Sequence, residues 1–232
     1  MSNSVIVLTG CTAGLGLKSL IALSNKPESF AFIILACRDV KSANNVADDV
    51  SKKYKISRDK LIVLDDALDL SELASVRSFA SSLISRLKAD NKRISTLINN
   101  AGIGGSPKFS KNSQGYEKIF TTNHLGHFLL SILLLPYIDQ RIVNVASEVH
   151  DPATKTGLPD PEEYWPTNAE QYDRHLLRGE PFEGENDFKS GGRRYSRSKL
   201  CNILFTYKLA SKLSGDLPAY IVKFLSIIIN HN

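Results

Sequence analysis

The sequence predicts an α/β protein built on a doubly wound parallel sheet. From residue 5 to residue 145, short β-branched apolar runs alternate with segments of helical period, and each pair is about as long as a strand with its crossover helix. The runs are apolar on both sides, as in central parallel strands covered by helices on both faces. Because 232 residues suit one hydrophobic core, we predict a single domain over residues 1–232.

The individual elements follow from these patterns. The apolar runs predict strands at residues 5–9, 31–36, 61–64, 96–98, 142–145 and 220–225. Apolar residues at helical spacing predict helices at residues 15–24, 42–54, 71–87, 116–135 and 196–213. In the last helix the spacing i, i+3, i+4, i+7 predicts one apolar stripe, formed by Leu200, Ile203, Leu204 and Tyr207.

The composition excludes several classes of protein. With 42% hydrophobic and 23% charged residues, the chain is neither disordered nor collagen-like. Its cysteines, Cys11, Cys37 and Cys201, are odd in number and lack the spacing of a disulfide framework or a zinc site, so we predict no metal and a reducing compartment. The beginning of the chain lacks the features of a signal peptide, and its apolar stretches are shorter than a membrane span. These features predict a cytoplasmic protein without a transmembrane segment.

Charge is distributed unevenly along the chain. The net charge is +5, but residues 148–192 carry 11 acidic and 4 basic side chains, together with five of the nine prolines. We therefore expect a long acidic insertion there that leaves the sheet. The basic run at residues 52–60 contains one aromatic residue, Tyr54, and nucleic-acid binding is not expected.

A glycine-rich turn follows the first predicted strand. The segment Thr9-Gly10-Cys11-Thr12-Ala13-Gly14-Leu15-Gly16 leads from that strand into a helix. Glycines let the backbone turn sharply and approach a pyrophosphate, whose charge the helix N-terminus stabilises. The expected contacts to such a group come from Gly10, Thr12, Gly14, Leu15 and Gly16. The alternative is a tight strand-to-helix turn that binds nothing.

The end of the second strand indicates which dinucleotide would bind. Arg38 and Asp39 stand where the adenosine ribose would lie. A cation at this place favours the 2′-phosphate of NADP, whereas an NAD site would use an acid to accept the ribose hydroxyls. We predict NADP, and Asp39 leaves NAD open.

Tyr195 and Lys199 form a Tyr-x3-Lys pair on the last predicted helix. Residues four apart share a helical face, so the Lys199 ammonium can lie beside the Tyr195 phenol. A phenol ionises near pH 10, and an adjacent positive charge lowers its pKa toward the working range of a general acid. Taken alone, this spacing is common on surface helices.

In combination, the motifs resemble those of the short-chain dehydrogenase/reductase family. After the glycine-rich turn come Asn99-Asn100-Ala101-Gly102, Asn123-His124-Leu125-Gly126, Ser147 after the fifth strand, and Tyr195 with Lys199, in an order and at intervals that match the family from residue 5 to about residue 215. The strings Asn123 to Phe128 and Tyr195 to Asn202 are most similar to the retinol dehydrogenase and protochlorophyllide reductase-like branch. The resemblance implies a Rossmann-type fold.

The resemblance also implies roles for individual residues. Tyr195 would pass a proton to a substrate carbonyl oxygen, and Ser147 would hydrogen-bond the same oxygen. Lys199 would hold the nicotinamide ribose and lower the pKa of Tyr195, and Asn123 would position a water that links Lys199 to solvent. Further cofactor contacts would come from Asp69, Leu70, Asn100, Ala101 and Gly102. For Asn123 and Asp69 the alternatives are a polar helix residue and a helix cap before Ser71, and His124 and His127 are read as packing residues.

Two features depart from the family pattern. The insertion at 148–192 is long; we expect either a flap over the substrate mouth or a solvated loop. After residue 225 the chain lacks the family's Pro-Gly turn, substrate-covering helix and last strand, so we expect either a truncated product with weak or no activity or an enzyme whose pocket wall comes from a partner subunit. Family members often pair as dimers or tetramers through the helices around Asn123 and Tyr195.

Two functions follow from the sequence. The first is an NADP-dependent oxidoreductase acting on a carbonyl or alcohol of a mostly apolar small molecule. The second is a truncated, non-catalytic dinucleotide-binding protein. An isomerase or epimerase that uses the same Tyr-x3-Lys pair with NAD is disfavoured by Arg38 and by the absence of a C-terminal substrate domain.

Overall fold

The fold is a single parallel sheet with helices on both faces. A computed structural model describes residues 4–54, 56–106, 108–151, 166–181 and 184–213, together with the backbone of residues 221–225. The described strands lie in the order β3-β2-β1-β4-β5-β6, and all pair in parallel. They are β1 (Ser4–Thr9), β2 (Phe32–Ala36), β3 (Leu61–Ile62), β4 (Arg93–Asn99), β5 (Ile138–Val145) and β6 (Ile221–Leu225). The predicted doubly wound α/β class is confirmed.

Helices follow the strands in the expected alternation. They are α1 (Gly14–Ser24), α2 (Val40–Lys53), α3 (Leu73–Ala89), α4 (Lys118–Phe120), α5 (Gly126–Leu134), α6 (Ala169–Gln171) and α7 (Asp187–Leu213). The predicted strands at 96–98 and 142–145 were too short, because the amino ends of β4 and β5 carry polar residues that mask the apolar pattern. There Arg93 binds Asp139 at 2.5 Å. Conversely, β3 is shorter than predicted, and Tyr220 of the last predicted strand lies outside the described residues.

The helix α7 begins nine residues before its predicted start at Ser196. The Oδ1 atom of Asn186 accepts the N–H of Lys189 at 2.9 Å, and the Asn186 carbonyl accepts the N–H of Ser190 at 3.0 Å, so the chain enters the helix with a cap. Residues 187–192 of the predicted insertion are therefore helical. As a result, Tyr195 lies inside α7 instead of at its beginning.

One π-helical segment interrupts the helix predicted at residues 116–135. Residues Thr121–Leu125 are wound as a π-helix between α4 and α5, an irregularity that often marks functional positions. The Glu117 carboxylate caps the beginning of α4 by accepting the N–H groups of Ile119 and Phe120 at 3.0 and 2.7 Å. This segment carries the predicted site residue Asn123.

Two apolar clusters cover the two faces of the sheet. One packs α3, α5 and α7 against the strands around Val7, Leu97 and Ile142. The other packs α1 and α2 against Leu8 and Ile33. Beside the second cluster, β4 and β5 leave Thr96, Ile98 and Val143 partly exposed in a groove of about 680 Å³.

The predicted apolar stripe on α7 is only partly buried. Ile203 is buried, whereas Leu204 and Tyr207 are 54% and 61% exposed. On the neighbouring helix α5, Phe128 and Ile132 are also exposed, and Phe128 contacts Phe205 at 5.1 Å between ring centroids. The pattern correctly identified a helix. The face of α7 that bears Leu204 and Tyr207 is exposed, and so is the adjacent face of α5.

Part of the predicted acidic insertion packs against the fold. Residues 166–181 contain α6 and a π-helical turn. The Leu177 carbonyl accepts the N–H of Glu117 at 2.7 Å, and the His175 carbonyl accepts Arg197 at 3.3 Å. The described part is therefore anchored to α4 and α7. The flap stays a prediction, and residues 152–165 lie outside the described residues.

The stretch Lys118–Tyr137 is long and apolar enough to span a bilayer by length and composition. The continuous apolar run within this stretch is shorter than a membrane span, and for that reason no such segment was predicted. Half of this stretch is buried inside the fold, and its helix α5 packs against α3. A core helix passes the same test, so the finding is weak support for a membrane span.

Gly126 tests how closely α5 approaches the loop before α3. A Cβ atom at Gly126 would lie 2.3 Å from the Leu70 carbonyl oxygen, so Gly126→Ala must push the helix away from the loop. We expect a loss of about 1–3 kcal/mol in the free energy of unfolding, measured by urea denaturation. In the control Gly104→Ala, no atom lies within 4 Å of the added Cβ, and stability should stay the same or rise slightly. Equal losses in both variants would contradict the close approach.

Candidate functional site

A crevice of about 550 Å³ lies at the carboxyl ends of the strands, beside the boundary between β1 and β4. Strand order reverses there, and open α/β sheets bind ligands at such a switch point. All the predicted site residues except Asn123 line it: Gly10, Thr12, Gly14, Leu15, Gly16, Arg38, Asp69, Leu70, Asn100, Ala101, Gly102, Ser147, Tyr195 and Lys199. Most of the predicted residues are thus brought to one place.

The glycine-rich turn is shaped by close backbone approaches. Gly10 has a φ of +65°, and a Cβ there would lie 2.8 Å from Ala101. A Cβ at Gly16 would lie 2.0 Å from the Gly10 carbonyl oxygen. The residue that precedes α1 is Ala13, which has no side chain able to cap the helix. The first amide groups of α1 are left to a ligand or water, so the cradle fits a pyrophosphate.

Thr9 and Asn100 join the turn to the end of β4. The Thr9 hydroxyl accepts the N–H groups of Asn100 and Ala101, both at 2.9 Å. In return, the Asn100 amide donates to the carbonyls of Thr9 and Gly10 at 2.9 and 3.0 Å. These four bonds hold together the two walls of the crevice.

At the end of the crevice where a ribose is expected, Arg38 and Asp39 differ in their hydrogen bonding. The Asp39 carboxylate accepts the N–H of Ser42 at 2.9 Å and caps α2. The hydrogen bonds from Ser42 lower the pKa of Asp39. Arg38 is exposed at the rim and makes no hydrogen bond or ion pair to the described residues. The free group at this end is thus the cation.

Asp69 braces the turn before α3. Its Oδ1 atom accepts the N–H and the hydroxyl of Ser71 at 2.9 and 2.6 Å. The predicted helix cap before Ser71 is wrong, because α3 begins at Leu73 and its N-cap is Glu72. Asp69 also lines the crevice next to Leu70.

Ser147, Tyr195 and Lys199 meet at the inner end of the crevice. A hydrogen bond joins the side chains of Ser147 and Tyr195. The Lys199 Nζ atom lies 5.6 Å from the centroid of the Tyr195 ring and donates to the Val145 carbonyl at 3.2 Å. Ser147 and Lys199 are each 4% exposed. A proton donor, a hydroxyl and a buried amine thus face one small volume.

Burial controls the pKa values of this group. Burial lowers the pKa of Lys199 to about 8. Burial also raises the pKa of Tyr195, and the hydrogen bond from Ser147 opposes that rise. The expected lowering of the Tyr195 pKa by Lys199 is therefore not seen, because desolvation penalises the phenolate and the amine hydrogen-bonds Val145 instead.

Asn123 lies behind the crevice wall and is fully buried. Its side chain accepts the N–H of Ile103 at 2.8 Å and donates to the Ile103 carbonyl at 3.0 Å and to Ser198 at 3.1 Å. Its carbonyl accepts the amide of Asn202 at 3.2 Å. Asn123 therefore holds the wall in place; the water that it would position stays a prediction.

The sequence did not predict the hydrogen-bonding role of two residues in this network: Asn202 was assigned no role, and His127 was read as a packing residue. Asn202 donates to the carbonyls of Asn123 and Val145, both at 3.2 Å. His127 bridges the Asn123 carbonyl at 3.0 Å and the Thr9 hydroxyl at 2.9 Å, and burial lowers its pKa to about 3. Their spacing could have indicated this role, because Asn202 follows Lys199 by three residues and His127 follows Asn123 by four, and residues so spaced share a helical face.

No metal centre was predicted. Across the part of the chain that the structure describes, no three His, Cys, Asp or Glu side chains lie close enough together to hold a metal ion.

A family model described as short chain dehydrogenase matches residues 4–156. Human retinol dehydrogenase 11 is 35% identical over 220 residues, which cover 93% of this chain and 58% of that protein. The chloroplastic short-chain dehydrogenase TIC 32 B of Brassica napus is 33% identical over 90% of this chain and 58% of its own length. The chain thus spans less than two thirds of the curated relatives that it matches.

Solved structures share the fold. An uncharacterized protein from Mycobacterium paratuberculosis matches with a TM-score of 0.73 and 29% identity, over 100% of this chain and 70% of its own. A metagenomic short-chain oxidoreductase in complex with NADP matches with a TM-score of 0.63 and 20% identity, over 97% of this chain and 82% of its own.

The lowered pKa of Lys199 predicts how stability depends on pH. The pKa falls from the ordinary 10.5 to about 8 in the folded protein, so between these values the unfolded chain binds more protons and the free energy of unfolding rises with pH. Relative to Lys199→Met, the wild type should gain on the order of 3 kcal/mol over that window. Urea denaturation at several pH values measures this gain.

Lys208→Met is the matched control, because Lys208 is exposed on the same helix. Its stability should run parallel to that of the wild type across the pH range. A Lys199→Met curve that also runs parallel would show that the amine is not desolvated.

Proposed function

The chain belongs to the short chain dehydrogenase family, and from that premise we propose that it is an NADP-dependent oxidoreductase. It would reduce a carbonyl, or oxidise an alcohol, of a mostly apolar small molecule. The observation that carries the proposal is the convergence of Ser147, Tyr195 and Lys199 in the glycine-lined crevice.

The chain's own residues would handle the proton and the developing charge. A bound nicotinamide supplies or accepts the hydride. The Tyr195 phenol gives its proton to the substrate oxygen in the reducing direction, and the Ser147 hydroxyl, which bonds Tyr195 in the absence of substrate, turns its proton to that oxygen. Lys199 places its amine beside the ring, so that its protonated form stabilises the phenolate left after transfer.

We infer the preference for NADP from two charged residues at the rim of the crevice. Arg38 is exposed there, and a guanidinium binds a phosphate through paired hydrogen bonds. Asp39 is held by the cap of α2 and is less available to accept ribose hydroxyls. Two structural neighbours were solved in complex with NADP and with NADPH, which is in line with this preference.

We infer an apolar substrate from the exposed apolar side chains near the mouth of the crevice. Ile103 lines it and is 38% exposed. Phe188 precedes Tyr195 by seven residues on α7, which places it on the same helical face, and it is 74% exposed. The similarity to proteins named retinol dehydrogenases supports the same substrate class.

Other expectations stay predictions. Pairing of two copies is proposed at the exposed apolar surface of α5 and α7, formed by Phe128, Ile132, Leu204 and Tyr207. The cytoplasmic location is likewise a prediction, and relatives named chloroplastic also match. No observation favours the alternative of a non-catalytic binding protein.

Tyr195→Phe tests the proton donor. The variant keeps the ring but loses the hydroxyl, so the rate of NADPH oxidation with a panel of aldehydes and ketones should fall by about 10³-fold. NADPH affinity, measured by fluorescence titration, should change little. Tyr207→Phe alters an exposed tyrosine of the same helix and should keep the wild-type rate. Equal rates for wild type and Tyr195→Phe would remove the proposed mechanism.

Arg38→Leu tests the choice of cofactor. Loss of the guanidinium should weaken NADPH binding by about 10-fold to 100-fold, because a charge-assisted hydrogen bond is worth about 1.5–3 kcal/mol. Binding of NADH should be unchanged, and calorimetry of both cofactors measures the difference. Arg77→Leu, which removes an exposed arginine of α3, serves as the control. A uniform weakening of both cofactors would argue against recognition of a 2′-phosphate.

A further inference from the structure

Two cysteines meet at the edge of the crevice. Cys11 lies in the glycine-rich turn and Cys37 directly follows β2, and their Sγ atoms are 3.2 Å apart. Cys11 is fully buried and Cys37 is 8% exposed. Cys37 also lines the crevice, so it is the member of the pair nearer to solvent. The mechanism proposed above uses neither thiol.

The sheet brings these residues together. β1 and β2 pair in register so that Thr9 lies opposite Ala36. Just beyond this pair, the N–H of Gly10 donates to the Ala36 carbonyl at 3.0 Å. The positive φ of Gly10 then turns the chain back over the end of β2. The backbone turn that forms the crevice therefore also brings Cys11 into contact with Cys37.

The two thiols have different electrostatic surroundings. A hydrogen bond joins the two thiols, and together with the backbone amides of the turn it lowers the pKa of Cys37 to about 7. The same hydrogen bond, together with burial, raises the pKa of Cys11. Thiolates are the reactive form of cysteine, so Cys37 is the nucleophile of the pair and Cys11 is the thiol held ready next to it.

We propose that Cys11 and Cys37 form a peroxide-sensitive dithiol whose oxidation closes the cofactor crevice. In the first step the Cys37 thiolate attacks one oxygen of a hydroperoxide; the O–O bond breaks, the sulfur is oxidised to a sulfenic acid, and hydroxide or alkoxide leaves. In the second step the Cys11 sulfur attacks the sulfenic sulfur, a disulfide forms, and water leaves with the proton of Cys11. A dithiol reductant reverses the reaction by exchange.

The disulfide would deform the pyrophosphate cradle. Bonded sulfurs lie about 2.05 Å apart, so the two must approach each other by about 1 Å. Cys11 stands between Gly10 and Thr12, and the turn has little slack, because a Cβ at Gly10 would already lie 2.8 Å from Ala101. We expect the amides of the turn to lose their alignment toward a phosphate. This part of the inference rests on the proposed function.

The first experiment measures the thiols alone. The full chain is treated with hydrogen peroxide, denatured and titrated for free thiols, and its peptides are mapped by mass spectrometry. Two of the three thiols should be lost, with one Cys11–Cys37 crosslink. Burial raises the pKa of Cys201 to about 12, so Cys201→Ser should lose the same two thiols. Cys11→Ser should instead leave Cys37 as a trappable sulfenic acid.

The second experiment measures NADPH binding by fluorescence titration. The oxidised protein should bind NADPH at least 10-fold more weakly than the reduced protein, and dithiothreitol should restore binding. Bound NADPH should slow the oxidation, because it covers Cys37. Cys37→Ser treated with peroxide should keep its affinity.

The outcomes separate this inference from the proposed function. If the native protein retains three thiols, or forms no Cys11–Cys37 crosslink, the dithiol is overturned. If the crosslink forms while NADPH affinity is unchanged, the closing of the crevice is overturned. If the reduced protein does not bind NADPH, the proposed function fails, and the thiol titration still decides whether the pair is redox-active.

Discussion

The Thr9 hydroxyl is the contact on which the crevice depends. It accepts two backbone amides from the end of β4 and contacts the ring of His127. The Asn123 carbonyl can only accept a hydrogen bond, so the Nδ1 atom of His127 carries the proton and Nε2 accepts from Thr9. A neutral, buried histidine thus fixes the direction of the Thr9 hydroxyl. One oxygen atom thereby joins β1, the end of β4 and α5 at the switch point of the sheet.

The same low-polarity interior that orders these groups sets their acid-base chemistry. Burial raises the pKa of Tyr195 and lowers that of Lys199, so it shifts both groups toward their neutral forms. Whether or not the Lys199 amine is protonated, the neutral Tyr195 phenol is a poor base, but it keeps the proton that it can give to a substrate oxygen. Charge that arrives in the crevice, such as a phosphate or a developing oxyanion, is met by groups that solvent does not screen. The site therefore interacts strongly with the charge that its ligands bring.

The sequence predicted the fold and most of the crevice because both follow from local patterns. Alternation of apolar runs and helical segments predicted the parallel sheet. Short motifs at two strand ends and on α7 predicted that Gly10, Ser147 and Tyr195 lie together. It did not predict the early start of α7, since polar and glycine residues hide that helix. It also gave the wrong direction for the pKa of Tyr195, because desolvation depends on what packs above the ring. The position of Asn123 behind the wall is likewise a tertiary effect.

The first half of helix α7 depends on acceptors from the segments that precede it. Three arginines of its first half are buried, and each interacts with the preceding segments: Arg193 with Glu185, Arg194 with Glu117 at 3.4 Å, and Arg197 with the His175 carbonyl at 3.3 Å. Guanidinium groups stay charged when buried, so each needs an acceptor close by. Glu185 of the excursion therefore compensates one of these cations, Glu117 at the start of α4 compensates a second, and a backbone carbonyl of the excursion accepts from the third. Replacing Glu185 with a neutral residue would remove this ion pair from Arg193, on the helix that carries Tyr195 and Lys199.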